Sequence, residues 1–180
     1  PTPTYSLYSE LAKIQNCPAI EVPFDKEFNL PAKLASTGAN LTIVCNPNAP
    51  SGTFIPACEL KQLAQELKGV LLIDEAYADF ADGNCLELAK TCDNVIILRS
   101  MSKGYSLAGL RFGYGIANQN LIKGLLKVKD SYNVDAIAIA AATAAIKDQQ
   151  YFKNNLHKIK LERKNLAEKL AELGFEVIPS

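Results

Sequence analysis

Val70-Leu71-Leu72-Ile73-Asp74-Glu75-Ala76-Tyr77 is an apolar run that closes on two carboxylates and then a phenol. The run has no polar alternation, as expected for a strand buried on both faces of a sheet. Two further stretches share the pattern: residues 41–45 (Leu-Thr-Ile-Val-Cys) and 95–98 (Val-Ile-Ile-Leu). Residues 19–22 and 112–117 read as weaker strands.

Helical patterns separate these runs. Residues 56–68 place Leu60, Leu63, Ala64 and Leu67 at helical spacing, open on Pro56 and close before Gly69, which predicts a crossover helix. Alternating strands and helices predict an α/β fold, a three-layer α/β/α arrangement with a mostly parallel sheet. Beyond Asn120 the pattern is helical throughout: residues 121–129, the alanine-rich 135–147, and an amphipathic stretch over 150–173 that ends at Gly174. The alanine-rich stretch is too short to span a bilayer and is expected to be a closely packed core helix.

The chain has 180 residues, 48% of them apolar, and 19 basic side chains balance 19 acidic ones, so one soluble domain plus a fragment is expected. The charge balance suggests neither nucleic acid nor an anionic membrane as partner, and no apolar run reaches the roughly 20 residues of a membrane span. A cytoplasmic location is expected. Five cysteines without a C-x-x-C pair argue for reduced thiols, with no disulfide framework and no metal site. The first residues resemble a loop, and residues 176–180 resemble a strand that has only begun. The chain is therefore expected to be incomplete at both ends, with residues 1–174 as one large domain and 175–180 as the start of a smaller one.

In a parallel sheet, ligands bind outside the carboxyl ends of the strands, so polar residues there are the candidates for chemistry. After residues 41–45 comes Asn46-Pro47-Asn48-Ala49-Pro50-Ser51-Gly52-Thr53, a rigid loop able to hold an amide against a ligand or to serve as a plain turn. After 70–73 come Asp74 and Tyr77. That aspartate can cap a helix, bind a metal or pair with a protonated ring nitrogen. A nucleotide hydrolase would also place an Asp here, but its phosphate loop, G-x-x-x-x-G-K-[ST], does not occur in these residues. After 95–98 comes Arg99-Ser100-Met101-Ser102-Lys103-Gly104, and Leu110-Arg111 leads into the next strand. A lysine at such a strand end, beside an arginine that disfavours its protonation, is a candidate for nucleophilic or imine chemistry, whereas most lysines are solvated surface cations. His157 and the basic residues Lys158, Lys160, Arg163 and Lys164 read as a solvated helix face.

Together these sites supply an amine, an acid for a pyridinium nitrogen, and hydroxyl, amide and guanidinium donors for a phosphate, which is the set that pyridoxal 5′-phosphate requires. The ordered motifs Pro3-Thr4-Tyr5-Ser6-Leu7-Tyr8, Asn46 to Gly52, Asp74-Glu75-Ala76-Tyr77 and Ser102-Lys103 through Arg111 resemble the class I/II aminotransferases of the fold-type I pyridoxal-phosphate enzymes. Among these, the chain is most similar to the histidinol-phosphate aminotransferases. The resemblance implies that Tyr5 stacks on the cofactor ring, Asp74 pairs with its nitrogen, and Tyr77 donates to its phenolic oxygen. It also implies that Lys103 bonds the cofactor covalently and later shuttles a proton, while Ser100, Ser102 and Arg111 hold the phosphate.

The family commonly has Asn directly before the Pro of the first loop, where this chain has Ala49; Asn48 takes over its contact with the phenolic oxygen, or Tyr77 serves alone. The resemblance places a glycine-containing phosphate loop before residue 1 and a carboxylate-gripping arginine after residue 180. The full-length protein is accordingly expected to be a homodimer that moves an amino group between an amino-acid or amino-alcohol phosphate and 2-oxoglutarate in histidine biosynthesis, and residues 1–180 alone are expected to be inactive. An aromatic aminotransferase, a phosphothreonine decarboxylase, or a catalytically silent binding module on the same scaffold would share these residues.

Overall fold

The computed structural model describes residues 1–178. Its elements are α1 (Leu7–Ile14), a 3-10 turn (Ala32–Ser36), β1 (Leu41–Cys45), α2 (Ala57–Glu66), β2 (Val70–Asp74), a 3-10 turn (Ala78–Phe80), α3 (Leu88–Thr91), β3 (Val95–Ser100), a 3-10 turn (Ala108–Leu110), β4 (Gly113–Ala117), α4 (Gln119–Val128), α5 (Ala136–Lys147) and α6 (Gln149–Glu172). The strands form one four-stranded sheet in the order β1-β2-β3-β4. The first three are parallel, and β4 returns antiparallel to β3.

Register explains which side chains make the core. Val44 pairs with Ile73 and Ile73 with Ile97, while Thr42 pairs with Leu71 and Leu71 with Val95, so these residues share one face. That face is buried in one cluster with Leu60, Leu63 and Ala64 of α2 and Leu88 and Ala89 of α3. Each large aliphatic side chain removed from water there contributes about 1.5–3 kcal/mol. On the opposite face Ile43, Leu72 and Leu98 are half-buried, while Cys45 and Ile96 are buried. Both faces are thus covered, as expected of these strands, but more completely on the side where α2 and α3 pack.

Residues 19–22 form no strand, contrary to expectation. Thr2 makes an isolated bridge to Pro23, its N–H donating to the Val22 carbonyl and its carbonyl accepting from Phe24. Prolines 18 and 23 bracket the segment and cannot donate to a ladder; Val22 alone is deeply buried. Strand β3, in contrast, runs on to Ser100, because Ser100 pairs with Gly113 of the returning β4.

Side-chain caps set the starts of the later helices: Asn118 accepts from the Asn120 N–H, Asp135 from Ala138 and Asp148 from Tyr151. At the far end of α6, Gly174 takes φ +84°, its N–H donates to Ala171, and the Phe175 N–H reaches back to Leu170. This is the paired closure that a glycine after a helix permits. Helix α5 is less of a core helix than expected: it buries Ala138 and Ala142, while Ile137 is 75% exposed. It is apolar all round, yet only the stripe four residues apart is covered. Glu176–Ile178 show no strand, and the rest of the strand expected there, Pro179 and Ser180, lies outside the described residues. Among the described residues, no helix is long and apolar enough to cross a membrane.

Candidate active site

Strands β1, β2 and β3 end side by side: Cys45 pairs with Asp74, and Asp74 with Leu98. The loops that follow them therefore leave from one edge of the sheet. Because β4 runs the other way and Gly113 pairs with Ser100, Arg111 lies at that same edge. All three stretches singled out in the sequence converge there.

Lys103 is exposed, with Nζ 5.1 Å from the centroid of the Tyr77 ring. Tyr77 sits at φ −108°, ψ 4°, in the sparsely populated bridge region, at the start of the 3-10 turn. Ser100 Oγ accepts from the Ser102 N–H at 3.0 Å, which folds the chain back just before the lysine. Arg111 adopts a left-handed conformation (φ 51°, ψ 40°) and donates from Nη1 to the Ala108 carbonyl at 3.0 Å. Its guanidinium is exposed.

Asp74 is half-buried at the mouth of β2. Its Oδ1 accepts from the Ala76 N–H at 3.0 Å and its Oδ2 from the Tyr8 hydroxyl at 2.7 Å. Tyr5 is 50% exposed and packs edge-on against Tyr8, ring centroids 5.6 Å apart at 86°. Asn48 is buried, and its amide is engaged within the protein: the nitrogen donates to the Pro3 carbonyl and to Ser51 Oγ, and the oxygen accepts from Thr4. Asn48 thereby ties the segment that carries Tyr5 to the loop after β1. Asn46 plays a similar part deeper in, bonding both the N–H and the carbonyl of Ile55.

Two features escaped the sequence reading. Tyr8, inside a quoted motif, was given no role; it lies one helical turn from Tyr5, and that spacing was the available signal. The second is a charge cluster behind the site. Arg99 Nε bonds Glu75 at 2.8 Å and its Nη1 bonds Asp79 at 3.2 Å, while Glu75, 1% exposed, also accepts from the Cys85 N–H. Strand alternation was the signal here, since Asp74 and Glu75 must face opposite ways. Burial and the adjacent Glu75 push the Cys85 thiol up to about 12, so it stays protonated. A cleft of about 510 Å³ opens beside Tyr77 and Ala49, lined also by Phe80, Asp82, Lys160 and Arg163.

The family model described as aminotransferase class I and II matches residues 1–180. The chain belongs to this family. Among its curated relatives are histidinol-phosphate aminotransferase 1 of Nostoc sp., 51% identical over 97% of this chain and 50% of the relative, and that of Trichormus variabilis, 48% identical over 98% and 51%. Among solved structures, histidinol-phosphate aminotransferase from Sinorhizobium meliloti in complex with pyridoxal-5′-phosphate superposes with a TM-score of 0.91 at 30% identity, covering 98% of this chain and 51% of that one. The chain thus spans about half the length of the aminotransferases it matches.

Proposed function

We propose that this chain is the pyridoxal 5′-phosphate-binding part of an aminotransferase that moves an amino group between histidinol phosphate and 2-oxoglutarate in histidine biosynthesis. The observation that carries the reading is the Lys103 amine over the Tyr77 ring, at the sheet edge shared with Asp74 and Arg111. The residues present fit that cofactor. Asp74 has one protein donor on each oxygen and retains lone pairs for a ring N–H. Hydroxyls and a guanidinium flank the lysine, and the names of the relatives favour this substrate.

Pyridoxal phosphate, when bound, supplies an aldehyde that captures amines and a cationic ring that takes up charge from the adjoining carbon. Around it, Asp74 would hold the proton on the ring nitrogen, Tyr77 would donate to the phenolic oxygen, and Tyr5 would cover one ring face. Because the amide of Asn48 is engaged by Thr4, Pro3 and Ser51, Tyr77 would serve the phenolic oxygen without it. Ser100, Ser102 and Arg111 bind the phosphate. Lys103 would bond the cofactor covalently at rest, and its freed Nζ would take the proton from the substrate Cα and hand it to the former aldehyde carbon, on the far side of the substrate nitrogen. The full-length protein is a cytoplasmic homodimer in this reading, and a smaller domain begins after Gly174.

In the full-length protein, Lys103→Ala should lower turnover of histidinol phosphate with 2-oxoglutarate by on the order of a thousandfold. The isolated 1–180 segment, which spans half of its relatives' length, should show no turnover at all. Normal turnover by the variant rejects the role of Lys103, and a panel of amino donors on the full-length protein separates histidinol phosphate from aromatic amino acids and phosphothreonine.

A further inference from the structure

Tyr8 has no part in the roles assigned so far, yet it is the only side chain among the described residues seen to bond the Asp74 carboxylate. It stands in the first turn of α1 and is delivered there by a braced path. Thr4 and the Pro3 carbonyl are tied to Asn48, and the Tyr5 ring packs edge-on against the Tyr8 ring. The two donors grip Asp74 from opposite ends: the Ala76 N–H takes Oδ1 and the Tyr8 hydroxyl takes Oδ2. An aspartate held by its own backbone turn alone can still rotate about its last torsion; one also held by a phenol cannot do so without breaking a charge-assisted bond. Burial, and then the bond to Asp74, raise the Tyr8 phenol far above its ordinary range, so it donates at every working pH.

We propose that Tyr8 is a positioning residue that fixes the Asp74 carboxylate for the ring nitrogen of pyridoxal phosphate, an inference that rests on the cofactor reading above. Tyr8 touches neither substrate nor cofactor in this role. It acts through Asp74, so its effect requires the cofactor to have a ring nitrogen.

The test compares the full-length wild type with Tyr8→Phe, which keeps the ring and removes the hydroxyl. Equilibrium binding of pyridoxal phosphate is followed by absorbance, alongside an analogue with C–H in place of the ring nitrogen. Tyr8→Phe should bind pyridoxal phosphate about tenfold more weakly, the cost of one hydrogen bond to a charged group, and should shift the pH profile of the bound cofactor's absorbance. With the analogue, variant and wild type should bind alike. Equal binding of pyridoxal phosphate by both proteins overturns the inference, and so does an equal loss with both cofactors, which would make Tyr8 a packing residue only. If the wild type itself takes up no cofactor, the cofactor reading fails and this inference falls with it; uptake by the wild type without a Tyr8 effect overturns this inference alone.

Discussion

Asp79 sits between two opposing forces. The Arg99 guanidinium 3.2 Å away favours its charged form, and burial disfavours it; burial is the larger, and the carboxyl is raised above its ordinary value. The sign of the consequence follows from linkage. Well below the carboxylate range both folded and unfolded chains hold the proton, and Asp79 adds no pH dependence. As pH rises, the unfolded chain releases its proton first and gains stability relative to the folded one. Above the raised folded value the whole cost of the buried charge is present. Asp79→Asn, which cannot ionise, should therefore gain stability relative to wild type as pH rises from about 3 through the carboxylate range. Urea unfolding of both proteins at several pH values checks this, and a difference that is flat or falls with pH would sink it.

At the scale of elements, the loop between β3 and β4 carries Ser102, Lys103 and Arg111, and Gly104 sets how close it lies to the turn after β2. A Cβ on Gly104 would stand 2.9 Å from both Cβ and Cγ of Asp79, and nearer still to its Oδ2. Because the side-chain stem is involved as well as its tip, rotating the carboxylate cannot clear the space. Gly104→Ala should cost about 1–3 kcal/mol of stability, the usual range for overpacking a tight contact. Adding Asp79→Ala should recover part of that loss, since the two substitutions share one contact. Denaturant unfolding of the single and double variants reads this directly; a double variant that simply adds the two losses would place the strain elsewhere.

Across the whole molecule, α6 reaches back over the loops that follow β2 and β3. Phe152 stacks on Tyr105, ring centroids 4.0 Å apart at 12°, two residues beyond Lys103. Lys160 bonds the Ala81 carbonyl and Asp82, and Arg163 bonds the Phe80 carbonyl, just past Tyr77. The helix thus holds the two loops whose side chains meet at the lysine. Phe152→Ala should speed amide hydrogen exchange over residues 101–107 while leaving β1, β2 and β3 protected, because the core beneath those strands does not depend on the stack. Equal exchange in both proteins would show that the stack bears no part of the loop's order.

The strands 41–45 and 70–74, the four helices found within a residue or two of expectation and the stop at Gly174 were all legible in the sequence. So was the set Asp74, Lys103 and Arg111, because apolar runs, caps and motif order are local properties of the chain. What neighbours decide was hidden. Residues 19–22 set Ala19, Ile20 and Val22 around Glu21 but have no strand to pair with, and the amide of Asn48 turns into the protein because Thr4, Pro3 and Ser51 meet it there. The direction of β4 and the extra length of β3 depend on each other's ladder. Sequence by itself determined which residue types stand at the strand ends, since periodicity and spacing are written along the chain. Only the tertiary structure decided that Tyr8 meets Asp74 and that Arg99 joins Glu75 to Asp79, because hydrogen bonds between residues 66, 24 and 20 positions apart exist only once the sheet has brought its edges together.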